Sequence, residues 1–229
     1  MLFRPSHPLT QLQYATMQDG AVVLEQDERG PKVYLLTNKT ILKIFRPRSF
    51  WSRDTLYSNA RSFCRNAERL DILGIPTVKI LKLYRFEGSM DTAVLYQPLK
   101  GTTLRDLLKQ SAITPEICNQ LGAFVAQLHQ LGIYFRSLHF GNVLLMHNEQ
   151  FGLIDIADMN IYGWPLSIST RIRNFKRIQK YHEDMLKLGQ DNRSAIMDAY
   201  IQHAGLSQSQ SDRLLSKIRY QPHLQPDES

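Results

Sequence analysis

Four side chains in this sequence have the types and the placing to handle a metal-bound phosphate. Asp155 closes the apolar run Gly152-Leu153-Ile154, where a carboxylate can be held rigidly beside a divalent cation. Asn142 follows a glycine and precedes Val143-Leu144-Leu145, so its amide oxygen can supply a second hard ligand. Lys43 lies inside Ile41-Leu42-Lys43-Ile44-Phe45, and alternation along a strand turns it away from Leu42 and Ile44. That leaves a cation able to reach phosphate oxygens. His139, the fourth, stands two residues after Ser137. A serine is no base at neutral pH without a partner, whereas an imidazole is suited to proton transfer. Phosphoryl transfer needs such a set, because metal and lysine neutralise the phosphate charge and little covalent work is left to the protein. Each residue also has a plain structural alternative. Asn142 can be a turn residue, Asp155 a strand-end cap, Lys43 an outward lysine on a half-exposed sheet, and His139 a packed histidine.

Order and spacing favour the chemical alternative. Tyr134 to Leu145 has the layout of the kinase catalytic loop H-R-D-L-x-x-x-N, with Arg136, Leu138 and Asn142 in register. Asp155 follows where that pattern has its second magnesium ligand. Ser137 stands where it has the catalytic Asp. His139 occupies the position at which kinases often carry a lysine facing the transferred phosphate, so it reads as proton carrier or as cation. No G-x-G-x-x-G lies between the first two expected strands; Gly30, flanked by Glu28, Arg29 and Pro31, is a weak substitute. Backbone amides can cradle phosphate without that motif. A partner for Lys43 is expected on the next helix, but the face Ala60, Phe63, Ala67 and Leu70 carries no acid. Glu68 lies off that face and reads as solvated, so Asn59 or Asn66 is left as a neutral partner. His129, near the end of a long helix, reads as a structural brace for the loop.

These residues need elements to hold them. Ala21–Glu25, Lys32–Leu36 and Thr40–Phe45 read as an antiparallel meander after a short N-terminal arm. An amphipathic helix follows with Leu56, Ala60, Phe63, Ala67, Leu70 and Leu73 at three- and four-residue spacing, ended by Gly74 and Pro76. Thr77–Phe86 and Thr92–Leu95 add two strands. Tyr96-Gln97-Pro98-Leu99-Lys100-Gly101 then reads as a linker. Beyond it, Thr103 caps a short helix, and Thr114-Pro115 starts a long one carrying Ile117, Leu121, Phe124, Val125, Leu128 and Leu131 to Gly132. The loop, a strand pair at Val143–Leu145 and Phe151–Ile154, and further helices complete the chain. The expectation is an α+β, bilobal architecture. Residues 1–97 form a lobe with a five-stranded antiparallel sheet and one helix, 98–220 form a helical lobe, and 221–229 form a disordered tail.

Bulk properties narrow the partners. Twenty-eight Lys and Arg against 21 Asp and Glu give +7, a field that favours anionic ligands. Arg171, Arg173, Lys176, Arg177 and Lys180 cluster on one helix, four of them on one face, and read as a solvated surface or as a contact for anionic lipid or phosphorylated glycan. The aromatic interleaving used to stack single-stranded nucleic acid is absent, so no nucleic-acid partner is expected. Cys64 and Cys118 have neither disulfide-framework nor metal spacing and read as buried thiols. Met1–Pro8 lacks the apolar core of a signal peptide, and no apolar run approaches the roughly 20 residues needed to span a bilayer. A cytoplasmic location is expected, with peripheral contact at the inner membrane left open.

Ile41-Leu42-Lys43, Leu73-Gly74-Ile75-Pro76-Thr77, Leu99-Lys100-Gly101-Thr102-Thr103-Leu104, Leu128-His129-Gln130-Leu131-Gly132, Tyr134–Leu145 and Gly152–Asp158 occur in an order that resembles that of bacterial small-molecule kinases. Over about residues 20 to 190 the chain resembles the lipopolysaccharide kinase family, which phosphorylates Kdo or heptose, and in particular its toluene-tolerance branch. The resemblance implies a protein-kinase-like fold with ATP and Mg2+ in the interlobe cleft. Lys43, Tyr96, Asn142 and Asp155 would bind the cofactor, Asn142 and Asp155 the metal, and Arg136, Ser137 and His139 would serve catalysis. The acceptor would be a small molecule or glycolipid. Ser137 divides the readings: an active phosphotransferase, or a pseudokinase regulating a partner in envelope or solvent stress. Phosphorylation of an aminoglycoside or other small alcohol is a third.

Overall fold

Strand-period and helix-period apolar patterns separate along this chain, and the fold separates with them. The computed structural model describes residues 5–46 and 53–218, with backbone alone for 53–58; Leu56 and the 221–229 tail fall outside what is described. The chain divides into two units, Met1–Lys100 with Gly152–Asp158, and Gly101–Phe151 with Met159–Ser229. With eight helices among the described residues and a six-stranded sheet, it has the expected mixed α+β class.

The first unit holds β1 (Ser6–Leu9), α1 (Gln11–Gln18), β2 (Val22–Asp27), β3 (Gly30–Leu35), β4 (Ile41–Phe45), α2 (Arg53–Ile72), β5 (Lys79–Phe86) and β6 (Thr92–Gln97). Its sheet runs β1-β5-β6-β4-β3-β2. The sheet therefore has six strands rather than five, and its first strand is parallel to β5 rather than antiparallel. The segment expected to be a loose arm is β1 and α1. Pro8 makes β1 unlike a strand in sequence, but an edge strand tolerates a missing N–H. A reciprocal cap between Thr10 and Gln13 starts α1. Tyr14 and Met17 of α1 then cover a cluster of Leu9, Tyr34, Leu36, Leu42, Ile44, Tyr84, Phe86 and Ala93. With one face of the sheet closed by α1 and the other by α2, β4 is buried at every position.

The other boundary differences have local causes. Tyr96 and Gln97 end β6 instead of opening a linker, so the break falls after Lys100. Gly152–Asp158 joins the first unit, not the helical one. Leu153 N donates to Pro76 O at 2.9 Å, Thr77 Oγ1 to Leu153 O at 2.7 Å, and Asn66 Nδ2 to Ile156 O at 2.8 Å.

The second unit carries β7 (Thr102–Thr103), α3 (Leu104–Lys109), α4 (Pro115–Gln130), β8 (Ile133–Phe135) and β9 (Val143–Leu145). After β10 (Phe151–Leu153), which crosses the boundary, come β11 (Met159–Ile161), α5 (Ile168–Gln179), α6 (His182–Leu188), α7 (Gln190–His203) and α8 (Gln208–Lys217). Thr103 and Thr114 cap α3 and α4 as their sequences lead one to expect. Helices α4 and α7 pack closely at Gly122, where a Cβ would lie 2.3 Å from Ile196 O and 2.8 Å from Ala199 Cβ. Gly122→Ala is expected to cost about 1–3 kcal/mol by forcing the helices apart. Thermal melting checks this, and an unchanged midpoint would mean the crossing is slack. No helix among the described residues is long and apolar enough to cross a membrane.

Candidate active site

In the first unit the site is built around one buried cation. Lys43 is 6% exposed, and its amine lies 5.9 Å from the ring centres of both Phe45 and Phe63. An ammonium in such surroundings costs several kcal/mol unless an anion meets it. Asp155 supplies the anion, accepting from Lys43 Nζ at Oδ1 over 2.5 Å. The pair is lopsided: the lysine side chain is 7% exposed and the aspartate 49%. Oδ2 of Asp155 takes no hydrogen bond from the described residues, so one carboxylate oxygen holds the lysine while the other is open. That donor set fits a hard divalent cation, which binds through one or two carboxylates plus phosphate oxygens. Asp155 also has φ 51°, a left-handed backbone that a non-glycine residue adopts at a cost and that clusters at functional positions.

The helix partner sought for Lys43 is therefore replaced by Asp155. Asn66, 1% exposed, holds the backbone of Ile156 next to it, so the α2 amide supports the aspartate rather than pairing with the lysine. Asn59 is exposed, and Glu68 is half-buried rather than solvated. Tyr96 packs its ring on Phe63 at 5.3 Å. Burial first, and the Asp155 charge second, push its phenol pKa upward, so it stays protonated. At the β2–β3 turn, where a glycine loop would cover phosphates, Arg46 instead clamps the hairpin. It donates to Asp27 Oδ1 at 3.0 Å and to the carbonyls of Gly30 and Pro31. The backbone N–H of Arg29, and then the Arg46 charge, hold the Asp27 carboxyl below the usual range.

In the second unit the loop 136–142 is fixed from inside and outside. Asn142 Nδ2 donates to Ser137 O at 3.0 Å and its N–H to His139 O at 2.8 Å. With the amide nitrogen engaged, Oδ1 faces the other way as an acceptor or ligand. Gly141 N–H donates to His139 Nδ1 at 3.1 Å, which puts the proton of a neutral ring on Nε2 and makes His139 a donor there. Action as a base through Nε2 would require a proton on Nδ1 facing that N–H. Ser137 is half-buried and Arg136 exposed.

Behind the loop lies a buried polar relay. His129, fully buried, joins Tyr200 Oη at 2.9 Å through Nδ1 and Asn174 Oδ1 at 3.0 Å through Nε2. Asn174 Nδ2 donates on to Phe135 O at 2.8 Å, at the root of the loop. Burial pushes the His129 imidazole down to about 4 and the Tyr200 phenol up to about 12. Tyr200 therefore donates to Nδ1, and Nε2–H donates to Asn174. Arg171 completes the relay: only 4% exposed, it donates to Leu166 O, Ala204 O and Tyr200 Oη. It is thus a core residue and not part of a basic surface, whereas Arg173, Lys176 and Lys180 are exposed. Cys64 and Cys118 are buried and not disulfide-bonded, and burial pushes the Cys118 thiol up to about 11.

One side-chain cluster beside this loop was not expected from the sequence. Arg105 grips Asp184 through Nε and Nη2 at 2.7 to 3.2 Å and lies 5.6 Å above the Tyr181 ring. Tyr181 in turn stacks on His139 at 4.3 Å. Arg105 N–H donates to Phe140 O, and a Cβ on Gly141 would lie 2.8 Å from Arg105 Nη1.

No family model matches this chain. A protein from Methanosarcina acetivorans described as a probable bifunctional tRNA threonylcarbamoyladenosine biosynthesis protein is 25% identical over 173 residues. The match takes in 74% of this chain and 29% of that relative, so the chain spans less than a third of its length.

Proposed function

We propose that this chain is an ATP- and magnesium-dependent phosphotransferase of kinase-like type, acting on a sugar hydroxyl of an envelope glycan or a related small molecule. The observation that carries the reading is the buried Lys43 paired with a half-open, left-handed Asp155. In it, Asp155 Oδ2 is the metal ligand of the first unit and Lys43 binds phosphate oxygens, with Tyr96 on the same aromatic wall; Asn142 Oδ1 is the ligand that the sequence resemblance implies in the second. Bound magnesium would neutralise charge on the phosphates. Ser137 and His139 orient the acceptor hydroxyl, with His139 donating from Nε2, and Arg136 flanks them. A loose transition state depends on positioning and charge more than on a strong base, so Ser137 in place of Asp is compatible with turnover. The glycan acceptor rests on the sequence resemblance.

The occupied Nδ1 of His139 favours a second reading, a nucleotide-responsive module that regulates a partner with weak or no transfer. The name of the archaeal relative extends the range of partners to tRNA modification. Calorimetry with Mg-ATP is expected to give binding between about 1 μM and 1 mM. Incubation of a Kdo–lipid acceptor with ATP should then add one phosphate to its mass. Heat without acceptor modification would favour the regulatory module, and absence of heat would sink the phosphotransferase reading. Full turnover in His139→Ala would remove His139 from the mechanism.

A further inference from the structure

Helices α3 and α6 border a cavity of about 500 Å3 that no step above uses, a size suited to a small-molecule ligand. Arg105, Lys109, Lys180 and Lys187 line it, against the carboxylates of Glu183 and Asp184. Ion pairing decides what remains available. Asp184 is engaged by Arg105, and Lys109 is tied to Asp106 at 3.0 Å. Lys180 and Lys187 have no hydrogen-bond or ion-pair partner among the described residues, and only Glu183 opposes them. Arg105 adds a directional donor: Asp184 fixes Nε and Nη2, while Nη1 makes no hydrogen bond to the described residues. A guanidinium held in this way presents its remaining N–H groups at a set angle, a geometry that suits phosphate or carboxylate oxygens.

The cavity is also joined to the loop that would handle the acceptor. Its wall residue Tyr181 stacks on His139, and Arg105 touches Gly141 and holds Phe140 O. We propose that this cavity is a subsite for an anionic group, a phosphate or a carboxylate, carried by the acceptor whose hydroxyl is presented at Ser137–His139. The word acceptor rests on the phosphotransferase reading; the anion site does not. A concave site bounded by two helices suits a group on a small molecule better than a flat anionic bilayer.

The full chain, free of ATP, is titrated with inorganic phosphate and separately with acetate while the His139 and Tyr181 ring signals are followed by NMR. Saturable binding that shifts both rings is expected for phosphate, acetate, or both, and the responding probe identifies the class of anion. In K180Q/K187Q the affinity should fall by about fivefold or more, as expected for losing two exposed charge contacts. The wild-type affinity should persist in Lys43→Met, which separates this site from the nucleotide site. Non-saturable shifts with both anions, or binding unchanged in K180Q/K187Q, would overturn the subsite. So would phosphatidylglycerol-vesicle binding that depends on these lysines without free-anion binding. Saturable phosphate binding with no Mg-ATP binding would overturn the phosphotransferase reading and leave the anion site standing.

Discussion

Asp155→Ala is expected to abolish magnesium-dependent nucleotide binding and to lower the melting temperature, whereas Lys43→Met should remove nucleotide affinity at almost no cost in stability. The asymmetry follows from burial. Removing the carboxylate strands an ammonium that is 6% exposed between two aromatic rings. A stranded buried charge costs about 3–5 kcal/mol, and the half-open position of Asp155 discounts this to on the order of 2 kcal/mol. For a chain of this size that is a fall on the order of 5 °C. Methionine in place of Lys43 instead puts an apolar chain of similar length against Phe45 and Phe63 and leaves Asp155 a half-exposed carboxylate in water. The double variant should recover most of the stability lost by Asp155→Ala, a coupling that scanning calorimetry reads directly. Nucleotide affinity, measured by titration calorimetry, should fall by about 100-fold or more in all three proteins, as for loss of a preorganised charge. Equal destabilisation by the two single changes would make the pair a structural bridge. ATP affinity held within twofold in both would remove it from the nucleotide site.

How much of this was visible beforehand depends on sequence distance. Lys43 was legible because strand alternation is local: one charged residue among four apolar ones has only two places to point. Its partner was not, since Asp155 lies 112 residues away, beyond the reach of any local pattern. Asn66 sat on the expected helix with the expected amide, but its bond runs to Ile156 O, a backbone contact that no side-chain pattern encodes. Arg171 shows the same limit: periodicity grouped it with neighbouring cations, while the groups that bury it, Tyr200 Oη and Ala204 O, come from a later helix and its end. β1 was lost for the opposite reason. Its four residues include Pro8 and lack strand-period apolar alternation, and its edge position beside β5 is what makes a strand permissible. Arg105–Asp184, 79 residues apart, could have been suspected as two charges but not paired.

The other large effect concerns pH. His129 is expected to make folding strongly acid-sensitive below neutrality. Its imidazole, pushed down to about 4 by burial in the folded chain, has an ordinary value of 6.5 when unfolded. Between those values the unfolded chain binds a proton that the folded chain does not, so stability is complete above pH about 6.5 and falls as pH drops toward 4. The difference amounts to about 3 kcal/mol. Urea unfolding from pH 7.5 to 4 should show this loss in the wild type, and the difference curve against His129→Gln should isolate it, since other titrating groups are common to both. Parallel curves for the two proteins would sink the assignment. The relay ties this sensitivity to function. Protonating His129 turns Nδ1 into a donor facing the Tyr200 hydroxyl and disturbs the Nε2–Asn174–Phe135 path that fixes the root of the 136–142 loop. Asn174→Ala removes that path while keeping the histidine itself. It leaves Phe135 O and His129 Nε2–H unpaired in the core, at about 1–3 kcal/mol each. Its turnover at neutral pH should fall to resemble wild type at acid pH. Wild-type turnover in Asn174→Ala would show that the relay stabilises the helices without positioning the loop.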